Sequence, residues 1–551
     1  MADQAAGDVA ALMRTAIRGR MGTKIGEPAK MKTAIKGTCF AMALATSLPS
    51  AWSAEREDLE MLRQTTLSLV QALVQGGVLT QEKADELMRN AQRSAAEKVA
   101  AEKKGEAKVV RVPYVPQHVR NEIKDELRQE VMARAKGEGW AAPGAVPDWT
   151  TRLKLSGDLR LRHQVASQSN ANGAYASVQD TNNSGATAQP FLLLNTTENI
   201  TQDRLRLRLA LDIQVSDTVT AGVGLATGNS TNPVSTNQTL GTGFNRYSVA
   251  IDRAFIKYDP FPWLSAIGGR IPNPFFSTDL VWDEDLAFEG IAATFKPKLG
   301  ERTQASLTLG MFPLDSPDCS LSQALSTCKR RKSIDGAQVG IEHGFGRDNR
   351  LKLALANYNF SNIAGAVNPI TDPTNKSSLP KWAQKGNTMF NIRSDGGTPW
   401  LLGLAADFRE MNLTGSLDLG IFDPTRVVLT ADYVENVGFD RAAILQRTGA
   451  DLEPRTKGYF AGILVGQPRI QRRGEWQVNL GYKHLERDAV VDGYTDSDFH
   501  LGGTDAKGWI LGASYGIENN TALRLRWLTA NAIDGPPLAI DVLQLDLNAR
   551  F

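Results

Sequence analysis

The sequence predicts an all-β transmembrane barrel of about sixteen antiparallel strands, running up and down, preceded by a short α-helical segment. Three observations carry this expectation. Leucines alternate with charged residues from residue 151 onward, short and long connections alternate between these runs, and a secretory signal lies near the start.

The alternation is clearest in 151-TRLKLSGDLRLR-162. Leu153, Leu155, Leu159 and Leu161 share one parity, and Arg152, Lys154, Asp158, Arg160 and Arg162 share the other. The run 203-DRLRLRLALDIQV-215 repeats the pattern, with Leu205, Leu207, Leu209 and Leu211 set against Arg204, Arg206, Arg208 and Asp212. Side chains alternate across a strand, so each run has one apolar and one charged face. A soluble sandwich would have to bury the row Arg204, Arg206, Arg208 at large desolvation cost. In a barrel the leucines meet lipid and the arginines meet a water-filled lumen. Further strands are expected near 218–226, 247–258, 263–271, 286–296, 303–312, 334–343, 350–360, 412–421, 425–435, 457–468, 474–487, 508–517, 521–531 and 540–551.

The connections separate barrel from sandwich. Short ones fall at 216–217, 259–262, 297–301, 344–349, 422–424, 469–474 and 518–520. Long ones fall between them at about 166–202, 228–246, 272–285, 313–333, 361–411, 436–456 and 488–507, and only the last, near 532–539, is short. Outer-membrane barrels have this rhythm of short periplasmic turns and longer outer loops. The long loops are polar, as in 166-ASQSNANGAYASVQDTNNSGATAQ-189.

The chain begins differently. The run 31-MKTAIKGTCFAMALATSLPSAWSAE-55 has two lysines, a short apolar core and small residues at its exit, the form of a signal peptide cleaved after Ser53. Met31 is then the expected start, 31–53 the signal, and 1–30 an upstream extension. Residues 54–140 carry helical spacing, with Leu59, Leu62, Leu69 and Leu73 on one stripe and Val119, Ile123, Leu127 and Val131 on another. The stripes are thin. They fit a small coiled coil in the periplasm, or a polar spacer. Residues 141–150 read as a linker and 151–551 as the barrel.

Composition narrows the functional classes. A net charge of +2 gives no bulk attraction for nucleic acid. The five histidines, His118, His163, His343, His484 and His500, have no metal-ligand spacing. No nucleophile elbow stands out and 222-GVGLATG-228 misses the nucleotide fingerprint, so neither an enzyme, a cofactor nor a metal is expected. Cys319 and Cys328, in 318-DCSLSQALSTC-328, suggest a loop disulfide in an exported protein. In 494-YTDSDFHLGGTD-505 the acids and glycines do not match an EF-hand, so a solvated loop is expected.

The end of the chain, 543-LQLDLNARF-551, places Leu543, Leu545, Leu547, Ala549 and Phe551 on one face. The terminal Phe551 resembles the signal read by the barrel assembly machinery. Several blocks resemble the putative-porin family of Gram-negative outer membranes: 112-VPYVPQHVRNEIKDELRQEV-131, 156-SGDLRLR-162, 268-GGRIPNPFFSTDLVWDEDLAFEGIA-292, 431-ADYVENVGFD-440 and 484-HLERDAVVDGYTDSDFHLGGTDAKG-508. The resemblance covers the chain from near residue 55 to its end. It implies a pore in the outer membrane, among lipid and lipopolysaccharide, with a helical periplasmic segment before it.

A pore selects by fixed charge. The expected basic lining is Lys154, Arg160, Arg162, Arg204, Arg206, Arg208, Arg524 and Arg526, though such arginines could instead pair with acids such as Asp158 and Asp212. In general porins the third long loop narrows the barrel. Here that loop is 272-PNPFFSTDLVWDED-285, with Asp283, Glu284 and Asp285 as acids opposite the basic wall, or alternatively as a surface cation site. The expected function is passive diffusion of small hydrophilic solutes and ions. An anion or phosphate channel is the nearest alternative, and a tether from outer membrane to cell wall, with 54–140 touching peptidoglycan, is the other. Analogy with general porins and the coiled-coil pattern suggest a homotrimer.

Overall fold

Sixteen long strands hydrogen-bond antiparallel to their neighbours in chain order, and the last pairs with the first. The computed structural model describes residues 151–185, 189–316 and 331–551, all within a unit that begins at Gly144. The upstream extension, signal peptide, helical segment and linker expected over 1–150 lie outside the described residues. So do Cys319 and Cys328 and their expected disulfide.

The first half of the wall is built from β1 (Leu153–Gln168), β2 (Ile200–Gln214) and β3 (Val219–Ala226), with a short piece β4 (Gln238–Thr239) paired to β2. It continues through β5 (Ala250–Phe261), β6 (Leu264–Pro272), β7 (Ala287–Phe295), β8 (Thr303–Asp315), β9 (Lys332–Phe345) and β10 (Asn349–Ser361). The short pair β11 (Met389–Asn391) and β12 (Leu402–Leu404) lies inside a long loop. The wall resumes with β13 (Arg409–Phe422), β14 (Thr425–Asn436), β15 (Lys457–Gly466), β16 (Trp476–Leu485), β17 (Ala506–Glu518), β18 (Thr521–Ala532) and β19 (Ala539–Arg550). Closure leaves no edge strand, so every strand's backbone groups have partners without water.

Alternation sorts the side chains as expected. Leu155, Leu159, Leu161, Leu543, Leu545 and Leu547 are exposed on the outer face, while Arg160, Arg162, Gln164, Gln544 and Asp546 are buried inside. This is the reverse of a water-soluble fold and suits a wall with lipid outside. Aromatic residues band the outer face near both ends. Phe261 stacks on Trp263 at 5.1 Å beside a short turn, and Tyr482 meets Trp509 at 4.9 Å near the long-loop end. The seam is fastened by the C-terminus: Phe551 and Gly157 exchange backbone hydrogen bonds of 2.9 and 3.0 Å. The Phe551 ring covers Gly157, where a Cβ would lie 2.5 Å from the ring.

Three long loops turn into the barrel. They span 273–286, 362–408 and 486–505 and share an apolar core with the wall strands β7, β8, β10, β14 and β16. Trp282 is its centre, with ring centroids 5.0 Å from Phe288, 5.1 Å from Tyr358 and 6.4 Å from Tyr494. Phe275 meets Tyr358 at 5.0 Å and Phe312 at 6.0 Å. Each such aromatic pair adds about 0.5–1.5 kcal/mol beyond the area it buries. The loops also bind one another: Asp283 N–H donates to Tyr494 O at 2.9 Å, and Gln384 Nε2 donates to Asp492 O at 2.7 Å. The open lumen is therefore displaced toward the wall of β1, β2, β18 and β19.

One consequence is measurable. Trp282→Ala removes the side chain that joins loop 273–286 to β7, β10 and loop 486–505, a loss of about 3–5 kcal/mol for a buried tryptophan. The loop should detach from the wall. Single-channel conductance in a planar bilayer should rise while the barrel stays folded on an unheated gel.

Candidate functional site

Strand register sets the charged wall. Across β1 and β2, Arg160 stands opposite Arg206, Arg162 opposite Arg204, and Asp158 opposite Arg208. Asp546 on β19 stands between Arg162 on β1 and Arg524 on β18. Like charges directly opposite one another are destabilising, so two arginine–arginine pairs need acids nearby.

The acids come from the wall and from two loops. Asp158 accepts from Arg208 at 2.7 Å and lies 3.0 Å from Arg206. Arg162 donates to Asp546 at 2.7 and 3.0 Å and to Asp498 at 2.9 Å, so its guanidinium is gripped on two sides. Asp498 also accepts from Arg526 at 2.8 Å. Asp285 accepts from Arg208 at 2.9 Å and from the Thr236 hydroxyl at 3.0 Å. Glu284 approaches Arg206 at 3.7 Å and is otherwise open to the lumen.

Not every expected residue joins this cluster. Asp283 lines the waist but makes no ion pair among the described residues, and accepts instead from the backbone N–H groups of Asp285 and Ser497, at 2.8 and 2.9 Å. Lys154 is exposed at the short-turn end, opposite Asp212, and stands apart from the cluster. Asp212 makes no ion pair among the described residues, whereas Asp158 makes two. The loop around 494–505 is not solvated. Asp492, Thr495, Asp496, Phe499, His500 and Thr504 are all buried, and Asp498 takes the most connected acidic position. The sequence held two signals for what was missed. Asp546 shares the inward parity of Arg162 and Gln544, and the pair Gly502-Gly503 adopts φ of 92° and 89°. A Cβ at Gly503 would lie 1.9 Å from Lys385 O, so only glycine lets this loop close against 362–408.

Open space lies on either side of this cluster. An inner cavity of about 700 Å³ is lined by Asp158, Arg206, Arg208, Arg253 and Arg550, among others. An outer cavity of about 560 Å³ is lined by Arg204, Asp180 and Lys385 and by amide and hydroxyl side chains of the loops. Between them is a waist of about 40 Å³. It shares Arg160, Glu284 and Arg524 with the inner cavity and Asn237 and Ser497 with the outer one. Among the described residues no group of side chains is arranged to hold a metal ion.

The loop acids differ in protonation. Burial alone would raise Asp498, but Arg162, Arg526 and Arg160 hold it well below the ordinary carboxylate range. Asp279 opens to lumen water on one side yet is ringed by protein. That enclosure, with repulsion from Asp496 and Glu284, pushes it up to about 7 against the pull of Lys483 and Arg526. Burial and the neighbouring Asp285, Asp496 and Asp279 push Asp283 up as well.

Comparison with known proteins gives a consistent picture. A model of the putative-porin family matches residues 63–551. No curated protein matches the sequence. Among solved structures, the chain is similar to the outer membrane channel DcaP of Acinetobacter baumannii, with 13% identity over 72% of this chain and 97% of that one, at a TM-score of 0.37. It is similar to OprB of Pseudomonas putida, with 11% identity over 75% of this chain and 97% of that one, at a TM-score of 0.43. It is also similar to the anion-selective porin from Comamonas acidovorans, with 10% identity over 72% of this chain and 99% of that one, at a TM-score of 0.37.

The raised carboxyls set a pH dependence. As pH falls through about 7, Asp279 takes up a proton, and Asp283 follows the same sense. The waist then becomes more positive. Anion over cation permeability should rise about fourfold between pH 8 and pH 5, since one unit charge roughly 10 Å away in water shifts anion and cation by about 0.4 kcal/mol each, in opposite senses. Reversal potentials in a KCl gradient at the two pH values measure this. An Asp279→Asn, Asp283→Asn double variant should lose the response. Because the folded loop binds these protons more tightly than an unfolded chain does, its stability should decline as pH rises toward and through 7.

Proposed function

Because the chain belongs to the putative-porin family, a family of outer-membrane channels, we propose that it passes small hydrophilic solutes and ions by diffusion. Their selection is set by lumen arginines working against loop acids. The observation that supports this reading is the waist of about 40 Å³ between two larger polar cavities, bounded by Arg160, Arg524 and Glu284. A sixteen-strand barrel has room for an aqueous channel, and loops 273–286 and 486–505 reduce that room to a strip along the basic wall. Fixed charges beside so narrow a strip act on every ion that passes.

The arginine wall favours anions. Seven arginines, Arg160, Arg162, Arg204, Arg206, Arg208, Arg524 and Arg526, outnumber the acids that pair with or approach them, Asp158, Asp546, Glu284, Asp285 and Asp498, while Asp279, Asp283 and Asp496 add further acids at the waist. In this reading Asp283 shapes the loop through its backbone bonds while Glu284 and Asp285 contribute the field, and Lys154 adds charge at the periplasmic mouth. The proposal extends to the helical segment 54–140 as a periplasmic element and to assembly as a trimer. It also includes the Cys319–Cys328 disulfide in an outer loop and Phe551 as the residue read during barrel assembly.

The test is single-channel recording of the purified protein in a planar bilayer under a KCl gradient. Open steps with a reversal potential on the anion side are expected. Arg160→Gln and Arg524→Gln should each lower anion over cation permeability by about fourfold, since a charge roughly 10 Å away in water shifts anion and cation by about 0.4 kcal/mol each, in opposite senses. A cation-side potential would mean the loop acids dominate. No steps from a protein shown to be folded would sink the channel reading.

A further inference from the structure

The seven lumen arginines are not equivalent. Arg162, Arg206, Arg208 and Arg526 each lie within reach of at least one carboxylate. Among the described residues the other three reach none. Arg160 donates only to the amide oxygen of Asn237, at 2.6 Å, and Arg204 only to that of Gln202, at 2.6 Å. Arg524 has no hydrogen-bond partner among the described residues. The Nε of all three is enclosed and unpartnered. These three also occupy successive positions: Arg204 lines the outer cavity, while Arg160 and Arg524 line both the waist and the inner cavity.

Three amides that share the outer cavity with Arg204 are neutral hydrogen-bond donors. The Gln179 carbonyl oxygen accepts from Ala383 N–H at 3.1 Å. That of Asn229 accepts from Thr231 N–H at 3.0 Å, and that of Asn232 from Val234 N–H at 3.0 Å. Each amide is thereby turned so that its oxygen is used within the protein and its NH₂ remains for the cavity, since an amide oxygen accepts while its NH₂ donates twice. The cavity of about 560 Å³ lies within the range of about 300–1,000 Å³ usual for small-molecule sites. Its lining offers these oriented donors and the Arg204 guanidinium; its one carboxylate, Asp180, accepts from the Ser177 hydroxyl at 2.6 Å, and Lys385 is spent on the backbone carbonyl oxygens of His500 and Gly502. A ligand that satisfies it carries acceptor oxygens over much of its surface and a negative charge.

We infer that the preferred solute is a small polyhydroxylated carboxylate, a sugar acid, whose hydroxyl oxygens bind the amides of the outer cavity and whose carboxylate passes from Arg204 to Arg160 and Arg524. A neutral sugar satisfies the amides and leaves the three guanidinium groups unpaired. A simple carboxylate or inorganic anion pairs with the guanidinium groups and leaves the oriented amides to water. Carboxylate–arginine pairs are charge-assisted and geometrically matched, and three in succession allow the solute to be handed on without its charge losing a partner.

This inference rests on the channel reading and is tested separately from it. Chloride current through single channels is recorded in KCl, with gluconate, acetate, glucose or inorganic phosphate added on the long-loop side. Gluconate should interrupt the current in a concentration-dependent manner, at least tenfold more strongly than acetate, glucose or phosphate. Arg204→Gln should weaken the gluconate effect about tenfold and Arg204→Lys should retain most of it. Open steps in plain KCl, whatever their size, would show that both variants are folded. The double variant Asn229→Ala, Asn232→Ala should weaken gluconate several-fold and leave acetate unchanged. Equal interruption by acetate, by glucose or by phosphate would overturn the inference. So would open steps that gluconate does not interrupt, and in these cases the channel reading would stand. An absence of steps in plain KCl would sink both.

Discussion

A closed wall carrying seven arginines on its inner face must find negative charge from somewhere, and that demand organises the rest of the lumen. Two of the compensating acids, Asp158 and Asp546, lie on the wall itself. They cannot meet the demand alone, because register sets Arg160 against Arg206 and Arg162 against Arg204. The remainder arrives on loops. Asp285 bridges to Arg208 from loop 273–286, and Asp498 joins Arg162 to Arg526 from loop 486–505. Burying Asp498 would be costly if it were alone. Gripped by two guanidinium groups, it stays ionised, and it ties its loop to three strands, β1 and β18 directly and β19 through Arg162 and Asp546.

The opposite side of the barrel holds the loops by different means. There the inward residues of several strands are themselves apolar, including Phe288, Phe312, Ala356, Tyr358, Phe360, Val434 and Leu485. An apolar inner face in a water-filled lumen needs a cover, and the three loops supply one through Trp282, Phe275, Phe408 and Val490. Hydrogen bonds from wall to loop fix the register of that cover: Thr278 donates to Asp432 at 2.6 Å, and Lys483 donates to Asp279 O at 2.9 Å. The lumen is therefore two-sided, with packed aromatic rings on one side and charge on the other.

Much of this was legible in the sequence. Strict alternation located all sixteen long strands, since slipping by one residue would turn every leucine of β1 and β2 toward the lumen. The same parity named the inward arginines. What strand parity could not reveal was which loop acids meet them, because that depends on contacts between loops far apart in the chain. Asp283, Glu284 and Asp285 look alike as a run. Yet Asp285 pairs with arginine, Asp283 accepts backbone N–H groups, and Glu284 stays largely open. The 486–505 loop was misread as solvated for a related reason. Its acids and glycines have the composition of a water-exposed turn, and their true use appears only when Gly502 and Gly503 are seen pressed against Gln384 and Lys385. A further sign was present in 350-RLKLALANYNF-360, where the inward parity turns from Arg350 and Lys352 to Ala354, Ala356, Tyr358 and Phe360 toward the outer end of β10, an arrangement that requires something to pack inside.

The separation of packing from charge has a functional consequence. Width is set mainly by how the loops bind the aromatic side, through residues that carry no charge. The field is set mainly by the arginine wall and the acids that reach it, through residues that contribute little to the apolar core. Two loops link the two: 486–505 places Val490 in the core and Asp498 against Arg162 and Arg526, and 273–286 places Trp282 in the core and Asp285 against Arg208 three residues later. A shift of loop 273–286 therefore changes width and field together: withdrawing Asp285 both opens the strip and leaves Arg208 with only Asp158. Opening the passage thus makes it more positive, and a solute that is itself an anion gains attraction at the moment it gains room.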